Sequence, residues 1–180
     1  MSFFYDLFIS ILDVLIKFSS LYNEKNKKII EGRKLSLKKV KEFKLNNKEA
    51  IWLHVSSVGE FEQAKPIIDS IKQNYKFKIA VSYFSSSAER IVDNYYNVDY
   101  SFYLPSDKKK LMKELFENFT PKILILIKYE FWKNLIEQAK FNSIPILSIS
   151  SVFRKNQIFL PRSEEHTSEL QSPCNLVCRL

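Results

Sequence analysis

His54-Val55-Ser56-Ser57-Val58-Gly59-Glu60-Phe61-Glu62-Gln63-Ala64-Lys65-Pro66 joins an apolar run, Ala50 to Val55, to the start of a helical pattern. The order strand, short polar turn, helix is the repeating unit of α/β proteins, and it places the turn outside the carboxyl end of a strand, where open α/β sheets bind their ligands. The chain holds only two glycines, and one of them stands in this turn. Glycine suits positions that need positive φ or close approach of a ligand to backbone, so Gly59 is read as a feature of the turn. A helix beginning at Glu60 puts its carboxylate at the positive end of the helix dipole, which favours the ionised form. Such a carboxylate can take a proton from a hydroxyl as a general base. The same spacing also fits a capping box, with Ser57 as N-cap and Glu60 three residues on. Both readings stand at this point.

Outward from this turn, apolar runs and amphipathic stretches alternate. Strands are predicted at Ala50–Val55, Phe77–Tyr83, Tyr100–Tyr103, Lys122–Ile127 and Ile144–Ser150, with helices at Glu60–Asn74, Ser87–Tyr95, Lys108–Asn118 and Glu130–Phe141. Ile123-Leu124-Ile125-Leu126-Ile127 is a short continuous apolar run, as in strands buried on both faces. The expected fold is a Rossmann-like α/β domain, a parallel sheet covered by helices. Ser82, Ser85, Ser86 and Ser87 close the second strand and open its helix. Their hydroxyls and the helix amides suit an anion, and Ser86 or Ser87 equally suits a plain helix cap. His54 reads as a satisfied histidine near a strand end, and Trp132 as core.

Residues 1–21 carry a different signal. Phe3 to Phe18 is apolar apart from Asp6, Ser10, Asp13 and Lys17, which fall on one narrow helical stripe. Two aspartates near the middle of a spanning segment oppose insertion across a bilayer, so a helix lying in the membrane interface is expected. Lys25, Lys27, Lys28, Arg33, Lys34, Lys38, Lys39, Lys41 and Lys44 follow in residues 22–48, a basic helical linker suited to an anionic membrane surface. The alternative is an amphipathic helix packed on the body of the protein, with the basic side solvated.

Residues 162–180 break with this composition. They hold both cysteines, Cys174 and Cys178, yet no Lys, Ile, Phe or Tyr. The string resembles a translated sequencing adapter and is set aside as a non-native tail. The C-x3-C pair with His166 lacks the ligand number and spacing of a zinc site, so no metal is expected. The net charge of +8 raises nucleic-acid binding as a rival. No helix-turn-helix, zinc-finger or RNP-like pattern accompanies it, and no nucleic-acid partner is expected.

Trp52 to Ile68, Tyr103-Leu104-Pro105, Lys128-Tyr129-Glu130-Phe131-Trp132 and Ser151-Val152-Phe153-Arg154-Lys155-Asn156-Gln157 together resemble, in order, the N-terminal half of bacterial 3-deoxy-D-manno-octulosonic acid (Kdo) transferase. The resemblance implies a glycosyltransferase of GT-B type that moves Kdo from CMP-Kdo to a lipid A precursor at the cytoplasmic face of the bacterial inner membrane. It implies Glu60 as catalytic base, with Ser57, Gly59, Ser85, Ser86, Glu130, Arg154 and Lys155 on the acceptor side and no cofactor. Lys128 and Lys133 depart from the family pattern, where an acidic residue and a proline are common. Residues 49–161 then form an incomplete acceptor domain, and the donor sits largely on a second domain that the chain lacks. As a fragment the chain is expected not to turn over. A non-catalytic acceptor- or lipid-binding half-domain is the alternative.

Overall fold

The computed structural model describes residues 2–43, 49–128, 132–149 and 177–179. The elements run α1 (Ser2–Ser19), α2 (Glu24–Glu42), β1 (Ala50–Val55), α3 (Val58–Asn74), β2 (Lys78–Tyr83), α4 (Ser86–Asp93), β3 (Tyr100–Tyr103), α5 (Lys109–Asn118), β4 (Ile123–Ile127), α6 (Lys133–Phe141), β5 (Ile146–Ile149) and β6 (Val177–Arg179). The sheet order is β3-β2-β1-β4-β5-β6. The first five strands are parallel, as expected, and β6 adds an antiparallel edge that pairs with β5. The tail that the sequence reading set aside thus contributes three residues to the sheet.

Side-chain alternation along the strands divides the core into two layers. Leu53, Val55, Val81 and Tyr83 pack on one face with Phe61, Ala64 and Ile68 of α3 and Ala88 and Val92 of α4. Trp52, Ala80, Phe102, Leu124 and Leu126 pack on the other with Met112, Leu115 and Phe116 of α5 and Leu135 and Ala139 of α6. Each fully buried side chain of this size contributes about 1.5–3 kcal/mol relative to exposure, so the sheet is held from both sides.

The region expected as a basic linker contains α2, which lies against the sheet edge. Its Ile29, Ser36 and Val40 are buried. Ser36 donates to the carbonyl oxygen of Tyr103 at 2.6 Å. A Cβ on Gly32 would lie 2.1 Å from the Tyr103 ring, so the chain's other glycine lies where α2 and β3 touch.

Helix α1 is amphipathic in the sense the sequence indicates, and it turns Asp6 and Asp13 of its polar stripe to the body beside Tyr5 and the buried Ile9, while Lys17 is exposed. Tyr5 donates to Asp107 Oδ2 at 2.5 Å and Asn134 Nδ2 donates to Asp6 Oδ1 at 3.1 Å. Asp13 accepts from Ser106 Oγ at 2.7 Å and pairs with Lys108 at 2.8 Å and Arg33 at 3.4 Å. The opposite side, with Phe4, Leu7, Phe8, Ile11, Val14, Leu15 and Phe18, is exposed. Among the described residues no helix is long and apolar enough to cross a membrane.

Candidate active site at the strand carboxyl ends

In this strand order the chain leaves β1 toward β2 on one side and returns to β4 on the other, so the crevice between the carboxyl ends of β1 and β4 is the topological switch point. Glu60 follows β1, and Lys128 follows β4.

Ser57 is the N-cap of α3, with extended backbone at φ −138° and ψ 165°. Its Oγ accepts the Glu60 N–H at 3.4 Å, and Glu60 Oε2 accepts the Ser56 N–H at 2.5 Å. This is a capping box whose carboxylate reaches one residue further back than usual, to the residue before the cap. The cap occupies one carboxylate oxygen. Among the described residues Oε1 accepts no hydrogen bond, and the side chain is only half-buried. Glu60 is therefore held in one orientation with an oxygen left to meet a ligand.

Gly59 differs from the expectation. Because Ser57 caps the helix, α3 starts at Val58 and Gly59 is its second residue, without positive φ. A Cβ there would meet nothing within 4 Å. Neither backbone strain nor packing requires glycine, and its effect is to keep the surface beside Glu60 bare.

Ser85, rather than Ser86 or Ser87, caps α4, accepting the Ser87 N–H at 3.2 Å. Its own N–H donates to Ser56 O at 3.2 Å, which joins the loop after β2 to the loop after β1. Ser57, Gly59, Glu60, Ser85 and Ser86 are thus brought to neighbouring helix starts. Ser82 does not join them: strand parity turns it into the other layer, where it is buried and its Oγ accepts from Trp52 Nε1 at 2.8 Å. Glu130, Arg154 and Lys155 lie outside the described residues.

His54 is fully buried and satisfied, as its sequence context indicated. Its Nδ1 lies 2.8 Å from Ser82 Oγ, and its Nε2 accepts from Trp132 Nε1 at 3.2 Å. Trp132, the N-cap residue of α6, is partly buried against the second core layer and stacks on Phe84 with centroids 5.7 Å apart and planes at 12°.

Two features escaped the sequence reading. Lys128 has φ 63°, a left-handed conformation that costs a non-glycine residue on the order of 1 kcal/mol or more and is found preferentially at functional sites. No residue-type signal announces it. Arg33, read as one charge in a basic run, is mostly buried, with its guanidinium 4.6 Å from the centroid of the Phe84 ring. Burial pushes its pKa down, and Asp13 opposes that shift. Beside it a cavity of about 30 Å³, with room for roughly one water molecule, is lined by Ile9, Asp13, Arg33, Phe84, Pro105 and Trp132. Among the described residues no group of three His, Cys, Asp or Glu side chains could hold a metal ion.

Asp107 organises the neighbouring corner. It accepts the N–H groups of Asn134 at 3.0 Å and Leu135 at 2.8 Å, capping α6 where the Trp132 side chain makes no capping bond. Burial pushes its pKa up, and the hydrogen bonds from Tyr5, Asn134 and Leu135 pull the other way.

Over 109 residues the chain is 35% identical to the 3-deoxy-D-manno-octulosonic acid transferase of Aquifex aeolicus, covering 58% of this chain and 29% of that protein. It is 29% identical over 101 residues to the enzyme of the same name from Haemophilus influenzae, covering 55% and 24%. It is 28% identical over 109 residues to a bifunctional glycosyltransferase/methyltransferase of Fusobacterium nucleatum, covering 59% and 17%. The chain thus matches less than a third of the length of each of these relatives. Residues 31–170 match the family described as 3-Deoxy-D-manno-octulosonic-acid transferase (kdotransferase), and with the parallel α/β sheet and its switch-point site in place, the chain belongs to that family.

Proposed function

We propose that the chain is the acceptor-side part of a Kdo transferase whose complete form moves Kdo from CMP-Kdo to a lipid A precursor, lipid IVA. The observation that carries this reading is Glu60, pinned through Oε2 at the switch point with Oε1 unengaged, in a chain of this family. In the proposed step Oε1 takes the proton of a glucosamine hydroxyl while that oxygen forms a bond to the Kdo anomeric carbon. The bond from that carbon to the CMP phosphate breaks, and CMP leaves with the electron pair. Such a base contributes typically 10²–10⁴-fold. Gly59 leaves the acceptor room to approach, and Ser57, Ser85 and Ser86 present helix-start amides and hydroxyls to its phosphates. Glu130, Arg154 and Lys155 join them on the acceptor side. The donor is held mainly by a second GT-B domain, so the 180-residue chain alone does not transfer. Residues 162–180 remain, in this reading, a non-native tail.

The place of action is the cytoplasmic face of the inner membrane. The outward apolar side of α1, followed in the chain by exposed Lys25, Lys27, Lys28, Lys34 and Lys38, supports an interfacial contact with anionic lipid. The test is transfer from CMP-Kdo to lipid IVA by the full-length product of the source gene and by the 180-residue chain. Product from the first and none from the second is expected. Absence of transfer by the full-length protein overturns the reaction, and transfer by the short chain overturns the need for a second domain.

A further inference from the structure

Three described contacts assign the donor and acceptor sides of the His54 ring. Trp132 Nε1 is a donor only, so the Nε2 that receives it at 3.2 Å carries no proton. The imidazole proton therefore sits on Nδ1, which faces Ser82 Oγ at 2.8 Å and Ser82 O at 3.1 Å. Trp52 Nε1 donates to the same Ser82 Oγ at 2.8 Å. The donor-only Trp132 Nε1 and the acceptor-only Ser82 carbonyl thus agree on one tautomer, with Nδ1 protonated toward Ser82 and Nε2 open to Trp132.

Trp132 is a consequential residue to hold. It is the first residue after the 129–131 segment, and Glu130 precedes it by two positions. Its ring stacks on Phe84, which itself lies beneath the Arg33 guanidinium. The side chain makes no capping bond to α6. A fully buried histidine reaching from β1 to the α6 start spans the two sides of the switch point.

We infer that His54 is a positioning residue: its Nε2 sets the Trp132 indole, and with it the start of α6, at the crevice between β1 and β4. The consequence for transfer rests on the function proposed above, whereas the contact itself does not. Displacement of a reacting group by about 1 Å costs on the order of 10²-fold in rate, so a side chain that never touches substrate can still control turnover.

The experiment compares His54→Phe, which fills the space without an acceptor, with His54→Gln, whose amide oxygen can replace Nε2. Trp132→Phe keeps a ring for Phe84 and removes the donor. In the full-length gene product, His54→Phe should lower transfer about tenfold to a hundredfold. His54→Gln should recover most of it, and His54→Phe combined with Trp132→Phe should be no worse than either alone. In the 180-residue chain, tryptophan emission should shift for His54→Phe and return toward wild type for His54→Gln. Equal transfer by wild type and a folded His54→Phe overturns the inference, as do independent, multiplying effects of the two substitutions. If the wild-type full-length protein shows no transfer, the reaction fails separately and the emission arm decides: unchanged emission in His54→Phe overturns the positioning role. Should His54→Phe not fold, Trp132→Phe against wild type carries the same comparison.

Discussion

Helices α1 and α5 are both amphipathic, yet they are mounted in opposite senses. Met112, Leu115 and Phe116 of α5 are sealed under the sheet, while Phe4, Leu7, Phe8, Ile11, Val14, Leu15 and Phe18 of α1 face outward. What α1 turns inward, beside the buried Ile9, is Tyr5, Asp6 and Asp13, which bond to Asp107, Asn134, Ser106, Lys108 and Arg33. Periodicity reveals that a helix has two sides. It does not say which side the protein covers, because that depends on the hydrogen-bonding partners other elements supply. A large exposed apolar patch normally marks an interaction site, and here the polar anchorage fixes that patch relative to the strand ends.

The contrast can be broken most severely at α5. Leu115→Asp buries an unpaired charge at a fully buried position, at a cost of more than about 4 kcal/mol, and circular dichroism should find the chain unfolded. Next comes the junction of α2 with β3. Gly32→Ala forces a methyl group into the Tyr103 ring, and overpacking of about 1–3 kcal/mol outweighs the helix-propensity gain of alanine, so thermal unfolding should come roughly 2–6 °C earlier.

Asp99 gives a smaller, pH-dependent effect. Burial pushes its pKa up, but hydrogen bonds from Lys72 and the Ile79 N–H, with help from Lys78, hold it below the ordinary value. A depressed folded pKa means the unfolded chain binds protons more readily. The stabilisation is therefore present above the unfolded value of about 3.9 and is lost as pH falls through the folded one. Asp99→Asn should cost about 1 kcal/mol at pH 7, and the difference from wild type in denaturant midpoint should shrink on acidification. The smallest change in stability is expected on α1. Phe8→Asp, at a position 55% exposed, should stay within about 0.5 kcal/mol of wild type. Flotation with anionic vesicles should nevertheless weaken about 30-fold, as for the loss of one buried aromatic side chain of about 2 kcal/mol. Unfolding by Phe8→Asp, or unchanged flotation, would erase the distinction between the two helices.

Much of the frame was legible because continuous apolar runs between turn residues leave few alternatives. β1 and β3 have the predicted limits, and α5 begins one residue later than predicted. That Glu60 follows the carboxyl end of a strand was readable from the same alternation, whereas the switch point itself needs the strand order. Features that depend on local geometry were not legible. The helix after β1 starts two residues early because Ser57 caps it, which changes what Gly59 does. Ser82 and Ser85 look alike in sequence, yet strand parity sends one into the core and makes the other a cap. The left-handed turn at Lys128 and the burial of Arg33 arise from tertiary neighbours, to which a residue-by-residue reading has no access.

The most direct test of the account is Glu60→Gln in the full-length gene product, read by transfer from CMP-Kdo to lipid IVA beside thermal unfolding. Glutamine keeps an oxygen to accept the Ser56 N–H but cannot take a proton from the acceptor. Transfer should fall by about 10²–10⁴-fold with the unfolding temperature unchanged. Turnover near the wild-type rate in a folded Glu60→Gln protein would contradict the account and leave Glu60 as a helix cap alone.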